Sequence, residues 1–139
     1  MVRRIAQKHQ DDCVICVVAM VMDYSYRRVL QDSERYVKRS ENGQFLEWWF
    51  DYIKDEGRSV RIEPFRNLHK PWQNACRKTG IIGMTIPYLK RRHVAAVDPA
   101  GVVDPADNFP DHMSLLDYVS SRSSQGFIFD LDYLAIYGG

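Results

Sequence analysis

A cysteine stands where a polar stretch gives way to an apolar one near the start of the chain. Cys13 follows Asp12, and every residue from Val14 to Met22 is apolar. Aspartate is a favoured N-cap residue, so the pattern predicts a helix that begins at Cys13. The positive end of a helix dipole favours the thiolate, which is the form of cysteine that attacks carbonyl carbons. We therefore predict a reactive thiol at the tip of a buried helix, with an ordinary buried thiol as the alternative.

A histidine and an aspartate flank a turn much later in the chain. The sequence Asp98-Pro99-Ala100-Gly101 is typical of a type I turn between two strands. With Asp98 opposite Gly101 in a hairpin, His93 and Asp104 share one face as diagonal neighbours, their Cβ atoms about 7 Å apart. This spacing predicts an imidazole oriented by a carboxylate, as in a catalytic triad. A surface histidine is the alternative, and a bulge would slip the register and turn Asp104 to the other face.

Length and composition indicate the kind of protein to which these residues belong. The chain has 139 residues and a formal net charge of +1, so we expect a single domain, 1–139, and neither a nucleic-acid nor a membrane partner. Its three cysteines are an odd number, which argues against a closed disulfide framework and for a reducing compartment. The N-terminus shows no apolar signal segment, and the longest apolar run is too short for a membrane span. We therefore expect a cytoplasmic protein.

The periodicity of apolar residues changes along the chain. Helical spacing predicts two helices after the first, one capped by Ser25 and one that ends at Gly57. The apolar, mostly aromatic stripe of the latter is predicted to consist of Phe45, Leu46, Trp49, Phe50, Tyr52 and Ile53. Alternating patterns follow, which suggests an α+β fold with its helices segregated on one side of an antiparallel sheet. The predicted strands cover residues 59–65, 80–86, 93–97, 102–104 and 127–137 (one strand or two), with short helices at 70–76 and around 115–119.

Several of these residues, taken in order, resemble a known family. The chain is similar to the papain-like cysteine peptidases of the bacteriocin-processing type, which have small stand-alone relatives in phage and bacterial genomes. The resemblance implies a papain-like α+β fold in which N-terminal helices pack on an antiparallel sheet. The matching residues are Gln7, Asp12-Cys13, Ala19-Met20, Tyr24-Ser25-Tyr26, His93-Val94 and Asp104-Pro105-Ala106.

The resemblance also implies a role for each matching residue of the site. Cys13 would be the nucleophile, His93 the general base and later the general acid, and Asp104 the residue that orients the imidazole. Gln7 and the backbone N–H of Cys13 would stabilise the oxyanion, at roughly 3 kcal/mol per donor. The implied activity is thiol hydrolysis of a peptide or isopeptide-like amide through an acyl-enzyme, with a peptide or protein as substrate and no cofactor.

Some residues depart from this pattern or invite another interpretation. Val14 stands where the family usually has glycine, so a non-catalytic binding or inhibitory protein on the same scaffold is the alternative function. Gln10 and Cys16 repeat the Gln-to-Cys spacing, but Cys16 would lie one turn inside the helix. His9, Cys13 and Cys16 have the spacing of a metal clip without a fourth ligand, so we predict no metal site. No sequence motif indicates the substrate specificity or the oligomeric state.

Overall fold

The computed structural model describes residues 2–6, 13–40, 48–66, 79–106 and 112–137, and for residues 37–40 it describes the backbone alone. The predicted helix at 70–76 and the start of the third predicted helix lie outside these residues. In the described part of the chain the helices are α1 (Cys13–Met22), α2 (Tyr26–Ser40), α3 (Trp48–Asp55) and α4 (Leu115–Ser124), and the strands are β1 (Ser59–Pro64), β2 (Thr79–Ile86), β3 (Arg91–Asp98), β4 (Gly101–Val103), β5 (Ile128–Phe129) and β6 (Asp132–Tyr137).

The strands form one sheet with the order β1-β6-β2-β3-β4, and β5 pairs with β2 beside this path. Every pairing among the described strands is antiparallel. Helices come first in the chain and the sheet follows, so the predicted α+β class is confirmed. The C-terminal stretch, predicted as one strand or two, forms two short strands that both pair with β2.

Helices cover both faces of the sheet. In β3, Val94 and Ala96 belong to the core cluster that includes α1, α2 and α3, whereas Ala95 and Val97 belong to a second cluster that includes α4. The expectation that all helices lie on one side is therefore wrong. A strand whose residues are buried on both faces needs a cover on each, and α4 provides the second one.

Helix α1 begins at Cys13, as predicted, and eight of its ten residues are buried. A helix that is apolar all round lies inside the protein, which leaves its first turn as the place where it reaches the surface. The predicted N-cap, Asp12, lies outside the described residues. Ser25 caps α2 as predicted, since its Oγ accepts the backbone N–H of Arg28 at 3.1 Å. None of the helices described is long and apolar enough to cross a membrane.

The end of α3 is a Schellman motif. Gly57 has a φ of +93°, and its N–H donates to the carbonyl of Lys54 at 3.0 Å, while that of Arg58 donates to Ile53 at 3.2 Å. The predicted role of Gly57 is confirmed. The predicted aromatic stripe of this helix omitted Trp48, which the structure places among the buried residues.

The hairpin of β3 and β4 has the predicted register. Asp98 lies opposite Gly101, and the next two positions along each strand pair in turn. In the turn, Asp98 Oδ1 accepts the backbone N–H of Ala100 at 2.7 Å. Gly101 has a φ of +135°, and a Cβ there would overlap the carbonyl oxygen of Met113. Glycine is therefore required at this position, and it fixes the register on which the site depends.

Candidate active site

The N-terminal segment of residues 2–6 ties both ends of this hairpin together. The backbone N–H of Val2 donates to Asp98 Oδ2 at 2.8 Å. Arg4 reaches the other end, where its Nε donates to the carbonyl oxygen of Asp104 at 3.1 Å and its Nη2 to that of Ala106. These bonds hold the backbone around Asp104 in place immediately after β4 ends.

His93 and Asp104 are in direct contact. The Nε2 atom of His93 lies 2.9 Å from each carboxylate oxygen of Asp104. The side chain of His93 is 10% exposed and that of Asp104 is 0% exposed. The sequence placed the two residues as diagonal neighbours on one face of a hairpin, and the structure brings them together there.

Cys13 completes the group. It occupies the first position of α1, it is 6% exposed, and it lies close enough to the imidazole of His93 to raise the pKa of the ring. Because Nε2 of the ring faces Asp104, Nδ1 is the nitrogen that remains for the thiol. The structure thus brings together the three predicted catalytic residues from three separate parts of the chain. Gln7, the predicted oxyanion donor, lies outside the described residues.

The surroundings of His93 favour its charged form. Burial lowers the pKa of the imidazole, but hydrogen bonds to Asp104 and Cys13 outweigh burial and raise the pKa from 6.5 to about 9. Burial raises the pKa of Asp104, yet the hydrogen bond and charge of His93, with those from Arg122 and Tyr118, hold this pKa well below its usual range. At neutral pH the site therefore holds an imidazolium next to the sulfur of Cys13 and the carboxylate of Asp104.

Two residues that the sequence did not single out belong to the same group. Tyr118 Oη donates to Asp104 Oδ2 at 2.5 Å and Arg122 Nη2 donates to the same oxygen at 2.8 Å, while Oδ1 accepts the N–H of Ala106 at 2.8 Å. Both come from α4, which runs one and a half turns further than the predicted helix. A tyrosine and an arginine at positions i and i+4 share one helix face with Leu115, and an arginine on an apolar face signals a buried ion pair.

Both α4 residues keep their donor protons in this environment. Burial and then the charge of Asp104 raise the pKa of Tyr118 well above its ordinary value. Burial lowers the pKa of Arg122, but the hydrogen bond to Asp104 and the charges nearby raise it overall. Tyr118 therefore acts as a neutral donor and Arg122 as a permanent cation.

The residues next to Cys13 bear on access and on metal binding. Val14 is half-buried and packs against the core cluster of α1, α2 and α3. Cys16, one turn further, is fully buried, and its thiol donates to the carbonyl oxygen of Ala6 at 3.8 Å. In the part of the chain that the structure describes, three or more His, Cys, Asp or Glu side chains nowhere come together as metal ligands. His9 lies outside this part.

A groove of about 310 Å³ opens on the sheet, and none of Cys13, His93 and Asp104 lines it. Its wall includes Trp49 from α3 and Val94 from β3. Arg92 and Asp130 also line it, and the two form an ion pair within it. The lining thus combines aromatic and aliphatic side chains with a pair of opposite charges.

Comparisons with known proteins do not assign a family. No family model matches the chain, and no solved structure matches it. The chain is 26% identical over 124 residues to Anoctamin-1 of Homo sapiens. That alignment covers 79% of this chain and 12% of the human protein, so the chain spans only a small part of the curated protein it matches. Function must therefore be argued from the site itself.

Proposed function

We propose that the protein is a thiol hydrolase on a papain-like scaffold, which cleaves a peptide or isopeptide-like amide. One observation carries this proposal: Cys13, at the first position of a buried helix, lies close enough to His93 to raise the pKa of its ring, and Nε2 of that ring contacts Asp104. Nucleophile, base and orienting carboxylate in this order are the signature of nucleophilic catalysis. The resemblance in the sequence and the α+β architecture support the same scaffold.

Acylation begins with attack by the Cys13 thiolate on the carbonyl carbon of the substrate. A carbon–sulfur bond forms and the carbonyl oxygen becomes an oxyanion, which the backbone N–H at the start of α1 stabilises, with Gln7 as the proposed second donor. His93 then gives its proton to the amine nitrogen. The carbon–nitrogen bond breaks, the amine leaves, and a thioester remains on Cys13.

Deacylation uses the same residues in the reverse order. The neutral His93 takes a proton from water, and the hydroxide oxygen bonds to the thioester carbon. The carbon–sulfur bond breaks, the acid product leaves, and the Cys13 thiolate returns beside the imidazolium. In both half-reactions Asp104 holds the ring in position and stabilises its protonated form.

The first test is the reactivity of the thiol. We expect iodoacetamide near neutral pH to alkylate Cys13, because it attacks thiolates and a thiol of ordinary pKa is only about 3% thiolate at pH 7. His93→Ala should slow this reaction on the order of 10-fold or more. Cys16→Ala is the matched control, since it removes a fully buried thiol on the same helix and should leave the rate unchanged. Peptide mapping by mass spectrometry identifies the alkylated cysteine.

The second test is turnover. A pool of fluorogenic amide peptides should be hydrolysed by the natural chain and by Cys16→Ala, but not by Cys13→Ala, and a rapid acid quench should show the acyl group on Cys13. Slow alkylation of Cys13 at the rate of a free thiol would contradict the proposal. If Cys13→Ala retains the biological effect of the protein, the chain acts by binding and the proposed hydrolysis is wrong.

A further inference from the structure

The carboxylate of Asp104 is covered by two side chains of α4. Arg122 Nη2 lies 2.8 Å from Oδ2 and Tyr118 Oη lies 2.5 Å from the same oxygen. The same Nη2 atom is 3.4 Å from His93 Nε2. Tyr118 is fully buried and Arg122 is 7% exposed. A cation thus lies within the buried site, next to both members of the His–Asp pair.

Other contacts hold the guanidinium of Arg122 in place. Its carbon lies 4.4 Å from the centre of the Phe127 ring, Nη1 donates to Gln125 Oε1 at 3.0 Å, and Nε donates to Tyr118 Oη at 3.4 Å. A buried arginine with so many partners has lost most of its side-chain freedom already, so its charge acts from a fixed position.

The charges of the site balance at each stage of the proposed reaction. Before attack, the thiolate of Cys13 and the carboxylate of Asp104 are matched by His93 and Arg122, both positively charged. After acylation, Cys13 is an uncharged thioester and His93 is neutral, so Arg122 alone matches Asp104. Without Arg122 this second stage would leave a buried carboxylate uncompensated, which is strongly unfavourable.

We propose that Arg122 is a positioning residue of this site, which keeps Asp104 ionised and correctly placed while His93 is without its proton. This inference rests on the proposed function. Asp104 raises the pKa of His93, and Arg122 has the opposite effect on this pKa, because its charge disfavours a second positive charge on the ring nitrogen 3.4 Å away. It thereby limits how tightly the imidazolium holds the proton that the leaving amine must receive. Tyr118 adds a hydrogen bond to the carboxylate without adding charge.

Several charged groups of the described chain surround His93. Its titratable or charged partners are Cys13 from α1, Asp104 after β4 and Arg122 from α4, with Tyr118 on the same carboxylate oxygen. Met84 pairs with it on β2, and the Phe127 ring lies edge-to-face with its centroid 6.3 Å from that of the imidazole.

The test is the titration of His93, followed by the ring-proton resonances in NMR spectra of the full chain. We expect Arg122→Gln to raise the midpoint by at least about one unit, because a like charge within hydrogen-bond range shifts a pKa by about 1–3 units. Glutamine retains a donor for Asp104 and removes only the charge. Arg122→Met is the second variant and should shift the midpoint in the same direction.

Two controls separate charge from structure. Arg122→Lys keeps the charge and should leave the midpoint within about half a unit of the natural chain. Arg92→Gln removes the arginine directly before His93, which forms an ion pair with Asp130 instead, and it should not move the midpoint. The inference is overturned if Arg122→Gln leaves the midpoint unchanged, or if Arg122→Lys moves it as far as Arg122→Gln does.

This test does not depend on hydrolysis, so the two proposals fail separately. Slow alkylation of Cys13 combined with a shifted His93 midpoint would overturn the proposed activity and leave the coupling between Arg122 and His93. Fast alkylation with an unshifted midpoint would support the activity and assign Arg122 to the stability of the fold alone.

Discussion

The raised pKa of His93 predicts that the protein loses stability as the pH rises. The pKa is about 9 in the folded state against an ordinary value of 6.5. A group whose pKa is higher in the folded state stabilises it fully below the unfolded pKa, and this stabilisation disappears as the pH rises through the folded pKa. The difference corresponds to about 3 kcal/mol at 1.36 kcal/mol per pKa unit. Because His93 is 8% exposed, solvent screens little of this contribution.

Urea unfolding measures the effect when the natural chain is compared with His93→Gln. Both proteins are unfolded at several values between about pH 5.5 and 10, and tryptophan fluorescence reports the transition. The free energy of unfolding of the natural chain should exceed that of the variant at low pH, and the excess should shrink by about 3 kcal/mol across this range. Groups that do not interact with His93 titrate equally in both proteins, so their contributions cancel in the difference.

A second pair of variants assigns the cause. In the Asp104→Asn background the carboxylate is gone, and substitution of His93 should no longer produce a stability difference that falls with pH. The reasoning is refuted if the difference between the natural chain and His93→Gln stays constant within about 0.5 kcal/mol from pH 6 to 10. A difference that grows with pH would show that burial, rather than the bond to Asp104, controls the imidazole.

Two further predictions concern the hairpin that positions Asp104. Gly101→Ala should lower the free energy of unfolding by about 2–4 kcal/mol in urea titrations, because it combines a positive φ with a steric overlap. Gly57→Ala, with a positive φ but nothing within 4 Å of the added Cβ, should cost only about 1 kcal/mol. Asp98→Asn should also destabilise the protein, since Asp98 binds Val2 and the turn, yet the alkylation rate of Cys13 should stay near that of the natural chain. Equal losses for the two glycines, or slow alkylation in Asp98→Asn, would contradict this account.

Local signals in the sequence predicted the parts of the site that depend on short-range geometry. The turn from Asp98 to Gly101 determines the register of the hairpin, and the register determines which residue lies diagonally across from His93. The abrupt start of the apolar run likewise placed Cys13 at the first position of a helix. Each of these predictions rests on fewer than about a dozen neighbouring residues, because turn preferences and helix capping depend on residues that are close in sequence.

The contributions of α4 depend on packing between distant elements. The sequence showed a short helix near Leu115, but the end of that helix and the face it buries are decided by the sheet. Nothing in the sequence pattern assigned Tyr118 or Arg122 to the site. Their contacts with Asp104 require α4 to cover the second face of the sheet. Helical periodicity predicts which face of a helix is buried, but it does not predict which element that face packs against.

The hairpin also shows why a His–Asp contact by itself is weak evidence for catalysis. Asp98, at the turn, lies 3.0 Å from Nε2 of His112 and accepts two backbone N–H groups as well, so it has the same kind of partner as Asp104. What distinguishes the His93–Asp104 pair is that its ring lies close enough to Cys13 for the cysteine to raise the pKa of the imidazole. A proton held between a carboxylate and a nucleophile can be delivered to a substrate, whereas one held between a carboxylate and the backbone stabilises a turn.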